Sequence, residues 1–441
     1  MGSHAHDVLP ADAPRTPPGL RKGALVALAV GAVGSVVAFA AGGHKLFISA
    51  YLAGYLFVLG VVLGSQALIY LHNLTGGQWG RQVRVSARAA ASLLPLMALL
   101  FVPIALDTVN IYEWAHYEHE PASHQTDKIL NFKKPYLNTH WFQLRAVGYF
   151  ALWFLLAAYV RFLEGRNAKQ RTFDSARRVR VGSAQAIGLY GVSMTFASID
   201  WAMSLDPHWY SAAYGVIFVI GQALSAIAFN TSIVSHVMMA VGLGGGDNLK
   251  MGEFDGEMVA PEHPHHEPNP HGHVRHLGPG ESELGHSHHA TPIQDLGNLM
   301  LAFTMLWTYT AFSQFLIIWY GDLPEETVWY LKRSDHGWLI VGLMLVLLQY
   351  AAPFVSLMVR RNKRTPSIVG RIALGVVAMR LVDMTWQVMP ANFSELTFGV
   401  AGAVVSTALL LGGVALYLFD LKMQRPAYEY DLPRESAGGS H

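Results

Sequence analysis

Residues 46–71 read Leu46-Phe47-Ile48-Ser49-Ala50-Tyr51-Leu52-Ala53-Gly54-Tyr55-Leu56-Phe57-Val58-Leu59-Gly60-Val61-Val62-Leu63-Gly64-Ser65-Gln66-Ala67-Leu68-Ile69-Tyr70-Leu71, a run without a single charge. A helix rises about 1.5 Å per residue, so about 20 such residues cross the hydrocarbon core of a bilayer. Nine more stretches meet the same length: 23–41, 87–106, 141–163, 182–203, 213–240, 297–319, 337–359, 368–390 and 397–420. The expected fold is an all-α integral membrane protein of ten transmembrane helices. Composition agrees, because only 14% of the 441 residues are charged and 52% are hydrophobic. A water-facing surface of this size normally draws on about 25% charged residues.

The first stretch follows Arg21-Lys22, and Ala38-Phe39-Ala40 has the small-residue form of a signal-peptidase site. A second span follows at once, so 23–41 is read as a retained span. Basic residues then set the orientation, since they collect on the cytoplasmic side. With the N-terminus inside, the inner segments hold 23 Lys and Arg and the outer segments six. Both termini are therefore placed in the cytoplasm. The chain divides into an inner arm 1–22, six spans over 23–240, an inner loop 241–296, four spans over 297–420 and an inner tail 421–441. Between spans three and four lies a long periplasmic loop, 107–140. Its Tyr112, Trp114 and Tyr117 suggest a segment on the membrane surface or against a partner. The loop 241–296 carries nine of the 21 histidines amid Pro, Gly and Glu. That composition predicts a disordered linker rather than a specific metal site.

Cysteine is absent and the net charge is +1. Disulfides, thiolate nucleophiles, iron–sulfur clusters and thioether haem are excluded on this chain, and no basic field argues for nucleic acid. No catalytic residue and no metal ligand is assigned. His72 and His236 both reach the inner side, where imidazoles can ligate a b-type haem. A single pair near one face makes no transmembrane electron path, so none is assigned.

Ionisable groups in a bilayer core are costly and usually face the interior of a helix bundle. Asp200 lies towards the outer end of its span. The run Thr308-Tyr309-Thr310-Ala311-Phe312-Ser313-Gln314 places hydroxyls and an amide from the middle outward. Tyr309 and Ser313 share one helix face, and Arg380 and Asp383, three apart, can pair. With His72 and His236 at the inner side, this set suits two proton half-channels: Asp200, Tyr309, Ser313, Gln314, Arg380, Asp383, His72 and His236. The alternatives are a quinol pocket, a lone secondary transporter, or a scaffold whose polar groups hold helices together.

Three motifs carry a resemblance. They are His72-Asn73-Leu74-Thr75-Gly76-Gly77-Gln78-Trp79-Gly80, Ser198-Ile199-Asp200-Trp201-Ala202-Met203-Ser204-Leu205-Asp206-Pro207, and a run from Asp295-Leu296-Gly297-Asn298-Leu299-Met300 through Ser313-Gln314-Phe315-Leu316-Ile317-Ile318-Trp319-Tyr320 to Leu323-Pro324-Glu325-Glu326. On these the chain resembles the ten-span subunits of the polysulfide-reductase type, and within them the F subunit of bacterial alternative complex III, a quinol:electron-acceptor oxidoreductase. The resemblance implies two four-helix bundles flanked by two peripheral helices, in a bacterial inner membrane. The implied partners are a multihaem and a monohaem cytochrome c subunit, a large iron–sulfur subunit, a paralogous ten-span subunit and a terminal oxidase. Haem c and iron–sulfur clusters would then sit on partners and none on this chain. Quinol (menaquinol included) would be oxidised near the outer face, with the paralogous subunit the better candidate for its pocket. Were this chain to bind quinol, Asp200, His208, Trp209, Tyr320, Asp322 and His336 are the outer groups available.

Overall fold

The computed structural model describes residues 15–242 and 292–424. Residues 1–14 of the arm, 243–291 of the His-rich loop and 425–441 of the tail, with the expectations made for them, lie outside the described residues. Among the described residues every regular element is a helix. The principal ones are α1 (Leu20–Thr75), α2 (Gln78–Ala91), α3 (Leu94–Leu106), α4 (Thr139–Gln170), α5 (Phe173–Trp201), α6 (Tyr214–Ala240), α7 (Pro292–Gly321), α8 (Pro324–Ser334), α9 (Trp338–Met358), α10 (Pro366–Asn392) and α11 (Phe398–Met423).

Each of the ten apolar stretches lies mainly on helical backbone. Six helices (α1, α4, α6, α7, α9 and α11) are individually long and apolar enough to cross a membrane, and the bent pair α2–α3 raises the number to seven. Helices α5 and α10 are long but carry Asp200 in one and Arg371, Arg380 and Asp383 in the other. Large apolar side chains such as Val147, Leu155, Ile317 and Leu347 point outward. That much exposed apolar surface belongs in a bilayer or against another chain.

Local sequence explains where the helices bend. Gly43 interrupts α1 with φ 76° and ψ 178°, a conformation only glycine adopts without strain, so the first two apolar stretches form separate limbs. Ser92 and Leu93 divide the expected span 87–106 into α2 and α3 at 42°, with Pro95, which has no N–H to donate, just beyond. In α9 the residues Leu345–Ala351 form a π-helical turn ahead of Pro353. Caps are conventional: Asn138 accepts from Trp141 N, Thr172 and Ser175 form a capping box, and Thr397 accepts from Val400 N.

Helix α6 is the hub, packing on α1, α5, α7 and α10, while α11 runs along α1. The loop 107–140 folds back as short helices and buries Tyr112 and Trp114 against its own chain, while Phe132 and Tyr136 stay exposed. Tyr112 Oη donates to the Trp201 carbonyl at 3.0 Å and Trp114 Nε1 to Ser204 Oγ at 3.3 Å. The expected surface aromatics Tyr112 and Trp114 thus anchor the loop inward.

Asp127 caps the short helix Lys128–Lys133, accepting from Ile129 N and Leu130 N, and also meets His208 Nε2 at 2.7 Å. These bonds, that to Leu130 N foremost, hold its carboxyl below the ordinary range. A lowered folded pKa stabilises the cap above the ordinary carboxylate value, and the contribution disappears as pH falls through the folded value. Asp127→Ala is therefore expected to speed amide exchange over 128–133 several-fold at pH 7. At a pH below the folded value the variant and the parent should exchange alike.

Candidate functional site

The polar side chains of the interior fall into three levels. At the end of the molecule where α1 stops at Gly76 and Gly77, Glu164 of α4 is the shared anion. It accepts from Arg84 Nη2 at 2.7 Å, Arg88 Nη2 at 2.6 Å and Asn73 Nδ2 at 2.8 Å. Arg84 Nη1 also contacts His72 Nδ1 at 2.9 Å. His72 thus belongs to a charged knot that joins α1, α2 and α4. His236 stands apart, its Nδ1 bonded at 2.7 Å to the Ser232 carbonyl of its own helix. The two histidines expected at one proton mouth have separate surroundings.

One turn deeper, Gln66 Nε2 reaches Tyr70 Oη at 2.6 Å and the Trp153 carbonyl at 3.1 Å. Tyr190 Oη donates to Gln222 Oε1 at 2.5 Å, and Asn230 Nδ2 donates to Ser65 Oγ at 3.0 Å. These bonds tie α4 to α1, and α1 and α5 to the hub α6. The seam continues on α6 to Ser225, one turn past Gln222, where Arg380 Nε donates at 3.2 Å.

Arg380 and Asp383 form the deepest ion pair, Nη1 to Oδ2 at 2.6 Å, and both are buried. The pair expected from their spacing exists. It is enclosed from four helices: α10 supplies the charges, α6 Ser225, α7 the Trp307 ring 5.5 Å from the guanidinium, and α9 Gln349. With its amide turned to the orientation that satisfies both ends, Gln349, sited in the π-helical turn, donates to the Met379 carbonyl at 2.9 Å and accepts from Arg380 Nη1 at 3.0 Å. Gly221 makes room, because any Cβ there would overlap the guanidinium. The second oxygen, Asp383 Oδ1, has no well-formed hydrogen bond, although Gln387 stands beside the carboxylate. Tyr214 Oη is likewise buried without a partner. It lies within electrostatic reach of Asp383 on one side and of Asp206 and Arg333 on the other. A buried carboxylate oxygen without a donor needs a water or a proton, since leaving it bare is expensive.

The third level is at the opposite end. Asp206 pairs with Lys332 Nζ at 2.5 Å and lies 3.5 Å from Arg333 Nη2. Arg333 is buried, donates to the carbonyls of Trp329, Trp386 and Gln387, and lies 3.6 Å over the Trp329 ring. Burial pushes it down to about 10, against the pull of Asp206, so it stays cationic at neutral pH. Gln314 belongs to this level, accepting from Ser211 Oγ at 3.0 Å and donating to Tyr330 Oη at 3.3 Å.

The other expected proton-transfer residues are placed elsewhere. Asp200 is fully buried and taken up by Arg145 (Nε at 2.8 Å, Nη2 at 3.1 Å) and by Tyr149 Oη at 2.7 Å. Tyr309 is 69% exposed and Ser313 only half-buried, on the outward side of α7. Thr308 and Thr310 bond carbonyls of their own helix. Of that hydroxyl ladder Gln314 alone enters the interior network.

The candidate quinol residues do not converge. Trp209 is buried, stacked on Trp329 at 4.8 Å. His208 is occupied by Asp127. Tyr320 is 86% exposed, and Asp322 and His336 are exposed loop residues with positive φ.

Read from sequence alone, Glu164, Arg145, Tyr214 and Ser225 have no role, Arg84 and Arg88 count only as inner-side charge, and Gln349 lies in a span without a partner. Arg145 did carry a signal: like Arg380, it is an arginine inside an apolar stretch, which implies a buried acid. Searches of protein-family models and of curated proteins find no match to this chain.

Proposed function

We propose that this chain is a redox-inert, ten-span subunit of a respiratory quinol-oxidising complex in a bacterial inner membrane, and that it moves protons through the Arg380–Asp383 centre. The ten helical stretches and the excess of basic residues on one side support ten crossings with both termini cytoplasmic. In this reading α1 from residue 46 through α5 forms one four-helix bundle and α6 through α10 a second. The first limb of α1 and α11 are peripheral. The partners are the cytochrome c, iron–sulfur and paralogous ten-span subunits that the three motifs imply.

The observation that carries the proton assignment is Asp383 Oδ1, a buried oxygen that makes no well-formed hydrogen bond although Gln387 stands beside it. On the cytoplasmic side the seam from Glu164 through Tyr70, Gln222 and Ser225 leads to Arg380. On the periplasmic side Tyr214 lies between Asp383 and the Asp206–Arg333 pair. Asp383 accepts a proton on Oδ1 while Arg380 holds Oδ2, and its neutralisation loosens Arg380 towards Ser225 and Gln349. Carboxylates of this kind are the usual members of intramembrane proton relays.

The test is Asp383→Asn in membranes oxidising quinol. Proton release per quinol should fall by about half or more while quinol oxidation stays near the parent rate, as expected of a relay separate from the redox chemistry. An equal fall in both, or no fall, leaves the scaffold reading in its place.

A further inference from the structure

Between α4 and α5, on the outward side of the bundle, lies a groove of about 480 Å³ lined by Leu156, Tyr159, Ala184, Gln185, Gly188 and Leu189. Gly188 keeps the trough open, since it presents no side chain and has nothing within 4 Å of where one would stand. Tyr159 Oη and Gln185 Oε1 meet at 3.5 Å, the polar contact inside an otherwise apolar trough.

The end of the trough nearest the α4–α5 turn is cationic. Arg166 follows Tyr159 by seven residues on α4, and Arg177 and Arg178 precede Ala184 and Gln185 by seven on α5. Seven residues are two helical turns, so all three arginines stand on the groove's own faces about 10 Å beyond its apolar part. All three are exposed and have no ion-pair partner among the described residues, while Arg166 lies 5.7 Å over the Phe162 ring. Arg161, Lys169, Arg171 and Arg180 add exposed positive charge to the same turn. Of the two acids here, Glu164 is spent on Arg84 and Arg88, which leaves Asp174 alone against seven cations.

We infer that this groove binds an anionic glycerophospholipid, with one acyl chain in the trough and its phosphate on Arg166, Arg177 and Arg178. Apolar contact alone would serve any lipid tail or the isoprenoid of a quinone. The arginine mouth selects a phosphate that carries net charge, because zwitterionic headgroups bring their own cation. Guanidinium stems can lie along the apolar wall while their heads sit at headgroup depth. The trough and its arginines lie apart from the Arg380–Asp383 centre, which α6, α7, α9 and α10 enclose.

Native mass spectrometry of the purified full-length chain, offered phosphatidylglycerol or phosphatidylcholine, tests this. Phosphatidylglycerol should be retained about tenfold better, and R166Q/R177Q/R178Q should erase the preference. G188L should fill the trough and lower phosphatidylglycerol retention while the arginines remain. These positions are exposed, so thermal unfolding in detergent should match the parent in every variant. Equal retention of the two lipids, a preference that survives the triple variant, or displacement of phosphatidylglycerol by a short-chain quinone would each overturn the assignment.

Discussion

Asp200→Ala is expected to destabilise the protein by about 3–5 kcal/mol, one of the two largest effects of a single substitution in this chain. The carboxylate is fully buried and receives two bonds from Arg145 and one from Tyr149. Removing it strands a guanidinium that is 19% exposed and leaves the Tyr149 phenol only its contact with Tyr136. Arg145 also lies 4.0 Å over the Tyr136 ring and donates to the Tyr136 carbonyl, so the damage reaches the loop ahead of α4. Replacing both partners by apolar groups, Arg145→Met with Asp200→Leu, should recover most of the loss, because no bare charge remains buried. Thermal or denaturant unfolding in detergent measures both. An Asp200→Ala protein as stable as the parent would show that the pair holds nothing together.

That prediction rests on a partner the sequence does not announce. The helices themselves are legible, because twenty apolar residues in a row are a one-dimensional signal and the bilayer sets their length. Arg380–Asp383 is legible for a related reason: three residues on one helix share a face whatever the tertiary fold. Arg145 and Asp200 are 55 residues apart, and Glu164 meets Arg84 from 80 residues away. Only packing brings such pairs together. Direction is hidden as well. In water the polar face of a helix marks its outside, but here lipid and protein interior are both apolar, and apolar residues are spread around α4 and α7. Tyr309 and Gln314 thus read alike in sequence, although one faces outward and the other meets Ser211 and Tyr330.

The separation of structural from functional roles is sharpest at Arg380. Arg380→Met leaves Asp383 buried without its cation, and stability should fall by about 3–5 kcal/mol. Asp383 would escape part of that penalty by taking up a proton permanently, so Arg380→Met should also abolish proton transfer through this centre. Adding Asp383→Asn removes the stranded charge, and the double variant should regain most of the lost stability, as neutral pairs of similar volume commonly do. Proton transfer behaves differently. If Asp383 carries the proton, no repair of the fold restores it, because an amide has no pKa in the working range. The double variant should therefore unfold like the parent, oxidise quinol in its complex like the parent, and release fewer protons per quinol. Recovery of proton release together with stability would make the pair a helix clamp. The coupling between the two substitutions in stability, and its absence in proton release, is what distinguishes a charge that holds helices from one that takes and gives up a proton.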